Sequence, residues 1–247
     1  MTSMPLFGHT RTIISKRHAL IAPDGHVPST FPSWENATGF VMISPAMGAN
    51  LAQILVTFTS TGTAFFPSDK HEHALYVESG DCRIELPGET IPLATTGYIF
   101  IPSNQAFKIH GNETTRITVF RKIFEVVPGL ELPPMVHGIA SDIVGEPFLG
   151  NPRALLQTLL PIDPRYDLAI NIFTYQPGAT LPFVETHIME HGLLMLSGQG
   201  IYRLDENHYP VTAGDVIWMA PYCPQWFVAM GDEPASYLYY KDVHRLP

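Results

Sequence analysis

Hydrophobic residues in this chain occur in short runs and not at helical spacing. The runs are five to ten residues long, are apolar throughout or alternate with polar positions, and end near Gly, Pro, Asn or Asp. Such runs are typical of β-strands, whose side chains alternate between the two faces of a sheet. The pattern predicts an all-β protein built as a sandwich or barrel. The runs form two sets: GFVMIS (39–44), LAQILVTFTS (51–60), HALYVES (73–79), CRIEL (82–86), YIFIP (98–102) and RITVFRKIF (116–124), then LAINIFTYQP (168–177), HGLLMLSG (191–198), GIYRLD (200–205), DVIWMAP (215–221) and YLYYKDV (237–243).

The second set repeats the first. A shift of 118 positions places VESGDCRIEL (77–86) on MLSGQGIYRL (195–204). The register then slips by about one residue, so that VFRK (119–122) matches LYYK (238–241). Ordered matches of this kind indicate an internal duplication of a small barrel. We therefore expect an N-terminal barrel at 1–127, a Pro- and Gly-rich connector at 128–165 and a C-terminal barrel at 166–247.

Composition and charge exclude several classes of protein. The 247 residues are 45% hydrophobic and carry a net charge of −9, which allows a buried core and opposes binding to nucleic acid or anionic membranes. No apolar stretch reaches the roughly 20 residues that span a bilayer. Residues 1–25 lack the continuous apolar core and small-residue cleavage site of a signal peptide. The two cysteines, Cys82 and Cys223, do not indicate a disulfide framework. We expect both to be buried free thiols, and therefore a cytoplasmic protein.

Candidate metal ligands cluster in ETHIMEHGLLMLSG (185–198). On a strand, Glu185, His187 and His191 share one parity and would point to the same face. Glu190 has the opposite parity and is expected to point outward, whereas Met189 takes an inward position and would line a pocket. Three such ligands leave an ion in need of a fourth from elsewhere in the chain.

The spacing of these residues resembles the two motifs of the cupin superfamily. Glu185-Thr-His187-x3-His191-x6-Gly198 is similar to the first motif, with Glu and His exchanged and with Gly178 one residue too early for the leading glycine. Gly214-x5-Ala220-x-Tyr222-x2-Gln225 follows the spacing of the second motif, with Gln in place of its His. The resemblance implies a bicupin, two tandem barrels of the double-stranded β-helix or jelly-roll type. Its metal ligands would be Glu185, His187, His191 and Gln225, a set that suits Mn²⁺, Fe²⁺ or another divalent ion.

The first half provides an internal comparison. Subtracting 118 from the four ligand positions gives Pro67, Asp69, His73 and Phe107, or Ala106 if the slip is included. Pro and Phe cannot bind a metal, so we expect a degenerate, metal-free N-terminal barrel despite the HEH sequence at 71–73. In the alternative, His71 and His73 would bind a second ion.

Longer segments identify a closer resemblance. ETHIMEHG, LSGQGIYRLDENHYPVTAGDVIWM, PYCPQW, YLYYKDVHR and the upstream LIAPDGHVPSTFPSWEN (20–36) resemble the (S)-ureidoglycine aminohydrolase family over nearly the whole chain. The resemblance implies Mn²⁺ in the C-terminal barrel and release of ammonia from (S)-ureidoglycine to give (S)-ureidoglycolate, in allantoin catabolism. It also implies that Tyr202, Tyr237 and Lys241 contact the substrate.

These residue types suit a small anionic ureido substrate. A lysine at a barrel mouth can pair with a carboxylate, and a phenol can hydrogen-bond a ureido group. We assign catalytic roles to Glu185, Tyr237 and Lys241, with Glu185 acting through the metal; no separate general base is evident. Cys223 has no partner base and is expected to pack near the site.

Other functions are compatible with the same fold. A cupin dioxygenase or decarboxylase is the main enzymatic alternative, and a metal-dependent sensor or sugar-binding cupin is the non-enzymatic one. His208 and His244 are expected at the surface. Exposed strand edges favour pairing between subunits, so a homo-oligomer is expected.

Overall fold

The computed structural model describes residues 10–245, so part of the N-terminal stretch that was examined for a signal peptide lies outside the described residues. Short 3₁₀ turns occur at Pro23–Gly25, Pro45–Met47 and Ala140–Asp142. The strands are β1 (Ile13–Ile14), β2 (His18–Ile21), β3 (Pro28–Ser29), β4 (Trp34–Ile43), β5 (Leu51–Phe66), β6 (His71–Ser79), β7 (Cys82–Leu86), β8 (Glu89–Leu93), β9 (Gly97–Ile101), β10 (Phe107–Gly111), β11 (Arg116–Ile123), β12 (Val136–Ile139), β13 (Glu146–Phe148), β14 (Asn151–Thr158), β15 (Leu168–Tyr175), β16 (His191–Ser197), β17 (Gln199–Leu204), β18 (Asn207–Thr212), β19 (Val216–Met219), β20 (Gln225–Met230) and β21 (Ala235–Asp242).

The strands form two barrels with the same topology. In the first, strands pair in the order β12-β9-β6-β11-β5-β10-β7-β8, with β3 and β4 beside β5. In the second, one sheet has the order β1-β2-β19-β16-β21-β15-β14-β13 and faces a sheet of β18-β17-β20. The orders β9-β6-β11-β5 and β19-β16-β21-β15 correspond strand for strand. This correspondence confirms the all-β bicupin architecture that the sequence predicts.

Strand register shows how closely the halves match. His73 pairs with Ile101 in the first barrel, and His191 pairs with Met219 in the second, each 118 positions later. Phe107 of β10 pairs with Phe66, and Gln225 of the corresponding strand β20 forms an isolated bridge with Glu185. The cross-strand partner of His73 on β11 is Arg121, and that of His191 on β21 is Lys241, a separation of 120. The slip in the repeat therefore lies in the last strand and amounts to two residues, not the one residue that the sequence match suggested.

Three apolar clusters hold the molecule together. One fills the first barrel and includes Val56, Ile84 and Ile109, and a second fills the other barrel around Phe227 and Tyr237. The third lies between the barrels, where Leu51, Phe100 and Phe120 of the first meet Leu194, Leu238 and Tyr240 of the second. The outer faces of β16 and β21 are thus as well buried as their inner faces.

The structure corrects the predicted domain limits at two places. β2 pairs with β19, from Ile21 opposite Val216 to His18 opposite Met219, so the start of the chain joins the sheet of the C-terminal barrel. The segment 128–165 is also more than a connector, because β12 pairs with β9 and β14 pairs with β15. The first error arises because the four-residue strand β2 takes its partner from the other end of the chain. The second arises because β12 and β14 are mostly exposed or half-buried and therefore carry weak periodicity. Among the described residues, no helix is long and apolar enough to span a membrane.

Candidate active site

A small cavity opens in the second barrel. Its volume is about 100 Å³, below the roughly 300–1,000 Å³ of sites for drug-sized ligands, so it suits a small molecule. All seven residues assigned to the site from the sequence line it. The full lining comprises Phe148, Phe173, Leu181, Glu185, His187, His191, Leu193, Tyr202, Met219, Gln225, Tyr237, Tyr239 and Lys241.

The segment that carries the predicted ligands is not one continuous strand. Glu185 forms an isolated bridge with Gln225, in which each backbone N–H donates to the other's carbonyl at 2.8 and 2.9 Å, and β16 begins only at His191. Between them, the His187 carbonyl accepts a bond from the N–H of Tyr222 at 2.7 Å. The parity argument for a shared face is therefore wrong, although the side chains converge on one cavity. Irregular backbone, held by cross-strand hydrogen bonds, brings them together.

Two imidazoles and an amide meet inside the cavity. The Nε2 atoms of His187 and His191 lie 3.2 Å apart, and Nε2 of Gln225 lies 2.8 Å from Nε2 of His187. Each Nδ1 faces a backbone carbonyl, that of Met189 for His187 and that of Tyr240 for His191, both at 3.1 Å. With the proton on Nδ1, both Nε2 lone pairs point into the cavity, the orientation that backbone carbonyls impose on metal-binding histidines.

Glu185 lies at the edge of this group. Its carboxylate lines the cavity and is half-buried. Within residues 10–245, no three His, Cys, Asp or Glu side chains are grouped closely enough to form a ready-made metal site. The structure thus brings together two imidazoles and Gln225, with Glu185 adjacent to them.

Burial dominates the electrostatics of the cavity. It lowers the pKa of His191 to about 3, with further lowering by His187 and Lys241, and it lowers the pKa of His187. Both imidazoles are therefore neutral at physiological pH. Burial raises the pKa of Glu185, which Lys241 partly opposes, and lowers the pKa of Lys241, which Glu185 and Asp242 partly oppose.

Tyr202 and Tyr237 line the cavity, and Tyr175 packs against Tyr237. The hydroxyl oxygens of Tyr237 and Tyr175 lie 3.2 Å apart, and the Tyr202 ring centroid is 6.2 Å from that of Tyr237. Burial raises the pKa values of all three well above the ordinary value for a phenol. These side chains therefore remain protonated and can donate hydrogen bonds.

Two neighbouring residues differ from the sequence predictions. Glu190 was expected to point outward, and it does not line the cavity, but it is fully buried at 0% exposure because this side of the segment packs on the first barrel. Its two carboxylate oxygens accept bonds from the backbone N–H of Asn50 at 3.1 and 3.0 Å. Met189 is half-buried and is not part of the cavity lining; its carbonyl, not its side chain, serves the site.

Aromatic side chains fill the equivalent region of the first barrel. Phe107, in the register position of Gln225, stacks on Phe66 with 4.7 Å between ring centroids, and the His73 ring lies edge-on against both. Nδ1 of His71 instead lies 2.9 Å from Asp69 and from Arg121. These contacts place His71 and His73 in different surroundings. A metal-free first barrel stays a prediction.

The remaining candidate residues lie where the sequence predicts. Cys82 and Cys223 are buried and free, and burial raises the pKa of both thiols, that of Cys82 to about 12. His208 and His244 are exposed.

Sequence reasoning missed much of the apolar lining. Phe148 comes from the β13–β14 hairpin, in the segment read as a connector, and packs edge-on against Phe173 at 4.9 Å. Tyr239 also lines the cavity and lies edge-on to His191 at 5.5 Å. Alternation along β21 places Tyr239 on the same face as Tyr237 and Lys241, but no local signal could have indicated Phe148, because its position depends on pairing between β14 and β15.

Comparisons with known proteins agree with this architecture. The cupin domain family matches residues 171–240. The (S)-ureidoglycine aminohydrolase of Arabidopsis thaliana is 36% identical over 97% of this chain and 80% of its own length, and that of Escherichia coli is 34% identical over 92% of this chain and 88% of its own length. The crystal structure of protein Ylba from Escherichia coli superposes with a TM-score of 0.86 at 32% identity, covering 97% of this chain and 96% of that one. The chain belongs to the (S)-ureidoglycine aminohydrolase family.

Proposed function

We propose that this protein is a divalent-metal-dependent aminohydrolase that releases ammonia from (S)-ureidoglycine and forms (S)-ureidoglycolate, in allantoin catabolism. The observation that carries the proposal is the composition of one small cavity. Two neutral imidazoles, an amide, a carboxylate, a lysine and three phenols line a volume of about 100 Å³. The relatives that cover most of this chain are named for that reaction.

The donor set fits a divalent ion. Two imidazole lone pairs that face each other at 3.2 Å repel unless a proton or a cation lies between them. The separation of 3.2 Å would allow one ion to bind both nitrogens. Rotation of the Gln225 amide by half a turn would present its oxygen in place of its nitrogen. Glu185, His187, His191 and Gln225 would hold the ion, and Mn²⁺ or Fe²⁺ suits such a mixed set of N and O ligands.

The other lining residues suit the substrate. The Lys241 ammonium can pair with the substrate carboxylate, and the hydroxyls of Tyr202 and Tyr237 can donate to the ureido oxygen. Phe173 and Leu193 contribute apolar walls that limit access of bulk water. These groups fix the orientation of the tetrahedral carbon and hence the stereochemistry of the reaction.

The reaction exchanges one bond at that carbon. The C–N bond to the amine breaks, the oxygen of a water molecule bonds to the carbon, and a proton from that water leaves with the nitrogen as ammonia. The chemistry that a bound divalent ion supplies is Lewis acidity. Lys241 offsets the negative charge of the bound substrate, and the protonated phenols hold the ureido group while the amine leaves.

One assay tests the proposal and its alternatives. Metal-stripped protein is supplied with Mn²⁺ or Fe²⁺ and with ureidoglycine generated in situ, and ammonia release, product chirality and oxygen consumption are followed. We expect metal-dependent release of ammonia and one product enantiomer. Oxygen consumption or carbon dioxide release would favour a dioxygenase or decarboxylase, and binding without turnover would favour a sensor.

Matched variants connect the activity to the site. His191→Ala is expected to abolish ammonia release, whereas His208→Ala, at an exposed histidine of β18, is expected to retain it. Retention of both the metal and full ammonia release by Glu185→Ala would contradict the assignment of that ligand.

The compartment and the assembly are part of the same proposal. Two buried free thiols are compatible with the reducing cytoplasm. Self-association stays a prediction, which sedimentation of the purified chain would test.

A further inference from the structure

Alternate residues of β16 and β21 face two different parts of the molecule. His191 and Lys241, which pair across these strands, face the cavity. Leu194, Leu238 and Tyr240 face the first barrel, where Tyr240 stacks on Phe120 with 6.2 Å between ring centroids. The back of the site is therefore formed by the other barrel and not by solvent.

Glu190 connects the site to that barrel. Its side chain is fully buried, and both carboxylate oxygens accept bonds from the backbone N–H of Asn50, just before β5. Its own backbone N–H donates to the carboxylate of Asp242. Glu190 precedes His191, and Asp242 follows Lys241. One residue thus joins the start of β16, the end of β21 and the first barrel.

This connection acts on a segment without regular strand pairing. Residues 186–190 lie between the Glu185 bridge and β16 and form no strand. A ligand-bearing segment must be held within about 0.5 Å to keep a productive geometry. Because His191 follows Glu190 directly in the chain, a displacement of residue 190 moves the imidazole.

The duplication places an equivalent carboxylate in the first barrel. Glu72 precedes His73 as Glu190 precedes His191, and it is also fully buried at the interface between the barrels. The register makes Asp167 the counterpart of Asn50, since Leu51 pairs with Lys122 and Leu168 pairs with Asp242. Nζ of Lys122 donates to Asp167 at 2.8 Å across the interface. Glu72 and Glu190 thus occupy equivalent positions between the barrels, but only Glu190 lies behind the cavity, and among the described residues only Glu190 accepts a hydrogen bond from its neighbour.

We infer that Glu190 is a positioning residue through which the N-terminal barrel holds His191 and Lys241 in place for metal and substrate. The inference rests on the proposed function of the cavity. It gives the first barrel a role in the reaction: the barrel supplies the rigid backbone donor at Asn50 against which the ligand segment is fixed.

The duplication also provides the matched control for a test. Full-length Glu190→Ala and Glu190→Gln are compared with Glu72→Ala and Glu72→Gln. Mn²⁺ affinity is measured by competition with a chromophoric chelator. Amide hydrogen exchange is measured for peptides covering 187–193 in metal-free protein. Thermal stability is measured for all four variants. The Gln variants keep an acceptor oxygen and guard against loss of folding in the Ala variants.

A positioning role predicts a difference between the two pairs. Glu190→Ala should weaken Mn²⁺ binding about tenfold or more, as is usual when a partner behind a metal ligand is lost, and should speed exchange at 187–193. Glu190→Gln should recover most of the affinity. Both Glu72 variants should bind Mn²⁺ within about twofold of the wild type, whatever their effect on stability.

Several outcomes would overturn the inference. Equal loss of Mn²⁺ affinity in the Glu72 and Glu190 variants would indicate general loosening of the interface. Unchanged amide hydrogen exchange at 187–193 in Glu190→Ala would show that Glu190 does not hold this segment in place. Failure of the proposed function is distinguishable, because a wild-type protein that releases no ammonia would leave the Mn²⁺ and exchange results intact. If the wild type binds no Mn²⁺, the difference in amide hydrogen exchange between the Glu190 and Glu72 variants tests the inference by itself.

Discussion

His73 in the first barrel provides a quantitative test of the fold. Its ring is 1% exposed, and neither Nδ1 nor Nε2 has a hydrogen-bond partner among the described residues. Phe66 and Phe107 surround it with ring centroids at 5.4 and 5.0 Å. Burial, with a smaller contribution from Arg121, lowers the pKa of His73 from 6.5 to about 3. Replacement by Leu, of similar size, removes both the polar nitrogens and the titration.

The expected change in stability depends on pH. In the unfolded chain the imidazole takes up a proton below about pH 6.5, whereas the folded protein resists protonation until about pH 3, so stability is lost as the pH falls between these values. The free energy of unfolding lost through His73 is about 0.2 kcal/mol at about pH 7 and about 2.7 kcal/mol at about pH 4.5. The advantage of His73→Leu over the wild type should therefore grow by about 2.5 kcal/mol across that range.

Urea-induced unfolding of the two proteins at several pH values measures this difference. At neutral pH the variant should already be more stable by about 1 to 3 kcal/mol, because a buried polar group without a partner is removed. Ammonia release should be unchanged, since His73 lies in the other barrel from the cavity. A difference in stability that does not vary with pH would refute the reasoning, because it would mean that His73 is solvated or paired in the folded protein.

Other predictions follow from the site and from one turn. Tyr175→Phe removes only the hydroxyl that lies 3.2 Å from that of Tyr237 and should lower kcat several-fold at a cost of about 1 kcal/mol in stability; an unchanged kcat would show that Tyr237 needs no such partner. Lys241→Met should raise KM about tenfold or more in the ammonia assay because it removes the partner of the substrate carboxylate, and an equal KM would exclude that contact. Gly198→Ala should lower Tm by more than about 4 °C, because φ is +69° and a Cβ would lie 2.5 Å from a backbone oxygen. Gly150→Ala, with φ +79° and open space around it, should cost only about 1 kcal/mol, and an equal loss in both glycine variants would contradict the steric argument.

Periodicity was sufficient to identify the main strands of both barrels. Each of the eleven apolar runs overlaps a strand, and CRIEL matches β7 residue for residue. These strands are buried on at least one face, so the order of hydrophobic and polar residues along them follows which positions are buried. The duplication was readable for the same reason, because equivalent strands keep equivalent patterns. The two-residue strand β1 and the hairpin of β13 and β14 are mostly exposed and carry no such record.

The candidate metal ligands of the cavity were predictable as a set of residues but not as a geometry. Motif spacing indicated Glu185, His187, His191 and Gln225, and all four line one cavity. The reason offered for their convergence, alternation along one strand, was wrong because β16 begins at His191. Spacing in a motif records which residues a fold brings together and does not record the backbone path between them.

The sequence by itself determined the strand pattern, the duplication and the residue types available for metal and anion binding, because these depend on local alternation and spacing. The tertiary structure decided which faces of those strands are covered. Glu190 has the parity of a solvent-facing residue, yet the first barrel buries it and supplies its partner at Asn50. Burial of an outer face depends on contacts between residues 140 positions apart, and no local pattern in the chain can encode them.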